Sequence, residues 1–125
     1  MVLFCRLFLD TNASIEDVNE LLRTYLNARI DKGSVISTFG SYDLMKNESY
    51  DTHAKSEFPD GFTFFPYTIE IEPEGEKDSK LYIEEIGNLL TKLWKNAIPA
   101  VAACDFENEL PENGGYKSRN VPWTR

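Results

Sequence analysis

The chain has 125 residues, a formal net charge of −8 and a pI near 4.6, with 42% hydrophobic and 13% aromatic residues. That length and composition suit one domain with a real core and exclude intrinsic disorder. The acidic balance argues against nucleic acid and anionic membranes, which are held through clustered Lys and Arg, and favours a basic partner.

The N-terminal stretch M-V-L-F-C-R-L-F-L-D lacks the basic region and small-residue cleavage site of a signal peptide and reads as a buried strand. Over Val2–Leu9, alternation puts Leu3, Cys5, Leu7 and Leu9 on one face and Val2, Phe4, Arg6 and Phe8 on the other. The Phe4/Arg6/Phe8 row is reminiscent of RNA-recognition sheets, but the third strand lacks their R/K-G-F-G-F pattern and the protein is acidic. A second layer or a dimer partner over that face is the expectation. Ser14 caps a helix, with Asp17 three residues on. Ile15, Val18, Leu22, Tyr25 and Leu26 form its apolar stripe, with Leu21 and Ile30 flanking, which predicts a helix near 15–31 stopped by Gly33.

S-V-I-S-T-F-G-S-Y is β-branched and aromatic and predicts a second strand over Val35–Phe39, with Gly40 as a bulge. The polar segment Asp43–Glu57 carries the single histidine, His53, and has no helical period, so a loop or an exposed edge strand remains open. Pro59-Asp60-Gly61 is turn chemistry, which suggests an extra hairpin strand within 46–57 pairing with the next strand of the chain. That next strand is expected over Phe64–Ile71, where Pro66 marks an edge or a start. A polar turn from Glu74 to Ser79 then leads into a helix near 80–97. Its stripe is Ile83, Ile86, Leu90, Leu93 and Ala97; Gly87 allows close packing, Lys92 and Lys95 suit the C-terminal end of the dipole, and Pro99 ends it. Ala100–Phe106 is the last strand.

The resulting β-α-β-(β)-β-α-β order predicts an α+β domain on the ferredoxin-like, split β-α-β plan: an antiparallel sheet with both helices on one face. The domain spans 1–116. Residues 117–125 form a basic tail with three bases and no acid.

Asp105, Glu107 and Glu109 follow the last strand at i, i+2, i+4, which on an extended chain lie on one face. A hard cation needs ligands converging from several elements, and acid–base catalysis needs carboxylates in contrasting environments. The spacing supplies neither, so a solvated strand end or a docking surface is the more economical reading. For docking, the candidates are Asp105, Glu107, Glu109 and Glu112, with Tyr116 and Trp123 as aromatic anchors. Lys117, Arg119 and Arg125 are positioned to neutralise that patch by folding back. Cys5 and Cys104 form no C-x-x-C and are expected to be free, buried thiols in a reducing cytoplasm. Carboxylates after Cys104 push its pKa up, against a nucleophilic role. His53 reads as a surface residue. No phosphate loop, G-x-S-x-G, H-E-x-x-H or paired C-x-x-C occurs, so no catalytic residue, metal or cofactor is assigned.

The ending L-L-T-K-L-W-K-N-A-I-P-A-V-A-A-C-D-F-E-N-E-L-P-E-N-G-G, with the earlier F-P-D-G-F-T-F-F-P-Y-T-I-E-I-E, resembles small bacterial proteins. Some of these are similar to immunity proteins, which sit beside polymorphic toxins and block them by tight binding. The resemblance implies a cytoplasmic, non-enzymatic inhibitor of a basic protein, such as a toxin. Two other readings stay open: a small enzyme or ligand-binding domain with a pocket near the 105–116 turn, and a homodimerisation module.

Overall fold

Alternation in the first strand separates its faces. In β1 (Cys5–Leu9), Cys5, Leu7 and Leu9 are buried and Arg6 is exposed. The structure, a computed structural model, describes residues 2–76 and 78–123. Helix α1 (Ile15–Leu26) starts on Ser14, whose hydroxyl accepts from the Asp17 N–H, and buries Val18, Leu22 and Leu26. β2 (Arg29–Asp31), β3 (Ser34–Ile36), β4 (Gly40–Lys46) and β5 (Tyr67–Pro73) come next. Asp78 then caps helix α2 (Ser79–Lys95), which leads into β6 (Ala100–Cys104).

The six strands pair in the order β2-β3-β4-β5-β1-β6, each antiparallel to its neighbour. Without β2 and β3 this is β4-β5-β1-β6, the strand order of two interleaved split β-α-β units. The fold is therefore α+β on the ferredoxin-like plan, with the β2–β3 hairpin added at one edge. The main core lies between sheet and helices: Leu7, Leu9, Tyr42, Ile69 and Ile71 from the strands meet Leu22 of α1 and Tyr82, Ile86, Leu90 and Leu93 of α2.

Several boundaries differ from the sequence expectation. The first helix ends at Leu26, not near 31, because Asn27 takes a left-handed conformation (φ 50°) and its N–H closes on Arg23 O and Thr24 O. Residues 29–36 then form a hairpin about Lys32-Gly33, both at positive φ (51° and 85°), the geometry of a tight two-residue turn. Gly33 turns that hairpin; it does not stop the helix.

The expected strand Val35–Phe39 is broken after Ile36, where Ser37 N–H bonds Gly40 O and Ser37 Oγ accepts from Gly40 N–H. Gly40 opens β4 and is not a bulge. β4 runs to Lys46, and past Tyr42 it is paired with β5 alone, so of the two open readings Asp43–Lys46 takes the exposed edge strand. Among the described residues no strand continues past Lys46, and the extra hairpin strand placed within 46–57 is absent. The Pro59-Asp60-Gly61 segment instead belongs to two 3₁₀ turns, Ala54–Ser56 and Asp60–Phe64, in the long β4–β5 connection. β5 begins at Tyr67, after Pro66, which has no N–H to pair. β6 stops at Cys104, and Phe106 turns its ring into the core, 6.1 Å from Tyr82.

The second face of β1 is covered from within the chain. Phe62 sits edge-on to Phe8 at 5.2 Å. Phe58 and Phe65 each lie 5.2 Å from Trp123, while Val101, opposite Phe8 in the ladder, is fully buried. Lys55 reaches from the first 3₁₀ turn to both carboxylate oxygens of the buried Asp10, at 2.9 and 3.1 Å. The expected second layer over Phe8 is therefore the 47–66 connection together with the C-terminal segment. Arg6 stays half-exposed, bonded to Glu70.

Two measurements test this packing. A Cβ on Gly61 would stand 2.6 Å from Ala54 O and 2.8 Å from Lys55 O, backbone atoms that cannot move aside cheaply. Gly61→Ala is expected to cost about 1–3 kcal/mol in denaturant unfolding. Secondly, burial pushes the Tyr42 phenol well above its ordinary value, with the Glu85 carboxylate adding to the shift, and burial likewise raises Tyr82. A raised folded-state value means stability present below pH ~10 and lost above it, at about 1.4 kcal/mol per pH unit for each group, as the unfolded chain releases protons the native one keeps. The alkaline slope should be shallower in Tyr42→Phe than in wild type.

Candidate interaction site

Beyond Cys104 the chain leaves the sheet, and the acids along it do not share a strand face. Residues Glu107–Glu109 form a 3₁₀ turn, so the i, i+2, i+4 spacing no longer aligns them. The exposed Asp105 accepts from Val2 N–H at 3.2 Å, tying down the start of the chain. Glu107 folds back to accept the Cys104 N–H at 3.0 Å, satisfying a donor on the free edge of β6. Glu109 is exposed and faces α2, lining a groove with Glu84 and Asn88. Glu112 accepts from Ser118 Oγ at 2.7 Å and Asn120 Nδ2 at 3.1 Å, and these bonds hold its carboxyl below the usual range.

The turn Pro111–Gly115 presses the segment onto the sheet. Glu112, Asn113, Gly114 and Gly115 all have positive φ (53°, 52°, 78° and 97°). At the last two a Cβ would meet Ala102 Cβ at 3.1 Å and Ala100 O at 3.0 Å. The Gly-Gly pair thus serves both the left-handed backbone and the close approach to the β6 edge. Gly87 serves the same contact from the helix side, where a Cβ would stand 3.0 Å from Pro111.

Past that turn, the Tyr116 hydroxyl donates to Asp60 Oδ1 at 2.7 Å and its ring meets Phe62 at 5.8 Å. Trp123 is half-buried against Phe58 and Phe65, so it anchors the tail to its own domain. Lys117 Nζ stands 5.3 Å from the Tyr116 ring centroid and the Arg119 guanidinium 4.9 Å from that of Phe58. Both bases lie over rings, and among the described residues neither forms an ion pair with the four acids. Arg125 lies outside the described residues.

The structure thus brings Glu107 and Tyr116 together and sends Asp105, Glu109, Glu112 and Trp123 elsewhere. Glu107, Tyr116, Asp60, Phe62, Thr63 and Ala102 line a cleft of about 330 Å³ between the C-terminal segment and the 60–64 turn. Sequence reasoning treated Asp60 as a turn former and missed Phe62 and Thr63. The signal was there in F-P-D-G-F-T-F-F, four phenylalanines in eight residues, more than a turn requires. His53 is exposed, its N–H bonded to Asp51. Among the described residues no three His, Cys, Asp or Glu side chains are disposed to hold a metal ion, and no helix is long and apolar enough to cross a membrane.

The cysteines depart from expectation in two respects. Cys5 is fully buried, but Cys104 is only half-buried. The hydrogen bond from the Cys5 thiol, helped by the Phe106 N–H, lowers the Cys104 pKa against the opposing effects of burial, Glu107 and Asp105.

Comparisons with protein-family models, curated proteins and solved structures return no match. The geometry of the cleft is open to direct test. The bond to Asp60 raises the Tyr116 phenol above its ordinary value. In Asp60→Asn the Tyr116 ring should titrate at lower pH than in wild type, as read from its ring carbon NMR shift.

Proposed function

We propose that this protein is a cytoplasmic, non-enzymatic binding protein, an immunity-type inhibitor that docks a basic protein partner, a toxin, through the acidic surface around the end of β6. The observation that supports this most is the charge arrangement after Cys104. Asp105, Glu109 and Glu112 are exposed and carry no ion pair among the described residues. The bases that follow in the chain, Lys117 and Arg119, lie over aromatic rings. An unneutralised acidic rim on a chain of charge −8 steers a basic partner and disfavours nucleic acid and anionic lipid. Tyr116 and Trp123 are committed to intramolecular contacts, and their part in such an interface is to hold the acidic segment in place.

A second reading has its own observation. The cleft at Glu107, Tyr116, Asp60 and Thr63 lies at the 105–116 turn, where a small-ligand site would sit, and combines carboxylates with a phenol and an aromatic wall. Soaking with cationic small molecules and following the Tyr116 and Phe62 NMR signals distinguishes it from protein docking.

Charge reversal tests the main reading. Glu107 holds the Cys104 amide and should be kept; Glu109 and Glu84, side by side on the groove near α2, are the clean pair to reverse. A partner captured with the wild-type protein should bind Glu84→Lys/Glu109→Lys roughly 10-fold more weakly, with a shallower dependence on salt and an unchanged Tm. Equal affinity and an equal salt slope would rule the acidic surface out as the docking site.

A further inference from the structure

Cys5 and Cys104 are direct partners across the β1–β6 ladder, opposite one another in register. Antiparallel pairs alternate between hydrogen-bonded and non-hydrogen-bonded, and the ladder's bonds show which kind this is. Asp10 N–H bonds Pro99 O at 2.9 Å, one step beyond the Leu9/Ala100 pair. Counting back by twos makes the pairs at 8/101 and 6/103 hydrogen-bonded and those at 9/100, 7/102 and 5/104 not. Two further bonds agree: Cys104 N–H turns away from Cys5 to Glu107, and Ala100 O turns away from Leu9 to accept from Trp94 Nε1 at 3.0 Å.

Non-hydrogen-bonded partners lie about 4.5 Å apart at Cα with their side chains closest, within the roughly 4.4–6.8 Å that a disulfide spans. Both side chains point to the same face as direct cross-strand neighbours. The two sulfurs differ in access. Cys5 is fully enclosed, whereas Cys104 is half-buried at the strand end.

We propose that Cys5 and Cys104 form a reversible thiol–disulfide site, with Cys104 as the accessible attacking sulfur and Cys5 as the buried resolving one. The oxidant is a low-molecular-weight disulfide. Cys104 thiolate attacks one of its sulfurs, breaking that S–S bond and releasing one thiolate, and a mixed disulfide remains on Cys104. The Cys5 sulfur then attacks Cys104 Sγ and displaces the second small thiolate, which takes up the Cys5 proton. Two protein thiols are oxidised to one disulfide and one small disulfide is reduced to two thiols. Hydrogen bonds from the Cys5 thiol and the Phe106 N–H favour the Cys104 thiolate, whereas the neighbouring sulfur and burial push Cys5 far above its ordinary value. The second step therefore relies on proximity, since a contacting nucleophile has a very high effective concentration. An accessible thiolate beside a resolving cysteine is the arrangement found at redox-sensitive sites.

The test is oxidised glutathione on the native full chain, read by intact mass and by labelling of free thiols after denaturation. Wild type should lose both thiols together with a mass decrease of about 2 Da, the two thiol hydrogens, and recover both with dithiothreitol. Cys5→Ser should stop at a stable glutathione adduct of about +305 Da on Cys104, and Cys104→Ser should leave Cys5 unmodified. The wild-type readout stands even where a variant folds poorly. A persistent glutathione adduct on wild type, a disulfide-linked dimer, or two thiols that stay free overturns the proposal.

Discussion

Strand β1 has two faces to bury and five residues in which to present them. It lies between β5 and β6, so its backbone is paired on both sides and neither face can be left to water along its whole length. On one face Cys5, Leu7 and Leu9 meet the helices, each such aliphatic burial contributing about 1.5–3 kcal/mol. On the other, Phe8 and its neighbour Val101 need a cover that the two helices cannot supply. The long β4–β5 connection and the segment after β6 both bend to this need, and their aromatics meet over it. The cleft at Tyr116 is where these two covers abut.

Polar side chains fix the layers that apolar contact alone would leave free to slide. Glu85 on α2 accepts from Ser37 and Tyr42, tying the helix to the β3–β4 corner. The Tyr82 hydroxyl reaches Leu3 O and Ile71 O, and Tyr67 reaches Ala13 O. Each bond is worth about 1 kcal/mol net, but its loss would strand a buried acceptor at a cost of about 1–3 kcal/mol. The Asp10–Lys55 pair does the same for the second layer. A buried pair of this kind adds little overall stability, yet breaking it costs several kcal/mol, so it specifies where the 3₁₀ turn must sit.

The acids after Cys104 divide between structure and surface. Asp105 and Glu107 close off backbone donors of Val2, ahead of the first strand, and of the sheet edge, Glu112 orders the tail, and Glu109 is turned outward beside Glu84. One run of charge thus serves as edge cap, turn lock and electrostatic field. An edge strand with unpaired donors invites pairing with another chain, and covering β6 with carboxylates and a glycine turn blocks that pairing.

Local pattern by itself determined a good deal. Period-two alternation identified β1 and β5 and their buried faces, a run of small apolar residues after Pro99 identified β6, period-3.6 stripes identified both helices, and the β-α-β order identified the α+β plan. These are legible because burial on one face imposes a period on the sequence. Asp43–Lys46 stayed open between loop and edge strand because the outward face of β4 is largely polar and its sequence stops alternating cleanly. The end of α1 escaped because Ile30 continues the apolar stripe while Asn27 reverses the chain. The acids' spacing suggested a shared face, and only the 3₁₀ turn after Cys104 decided otherwise, since a two-residue period aligns side chains only while the backbone stays extended. The pairing of Cys5 with Cys104, of Asp10 with Lys55, and of Tyr116 with Asp60 joins residues 45 to 99 positions apart. No local periodicity encodes such contacts, because strand register and the path of the covering segments are set by the packing of the whole chain.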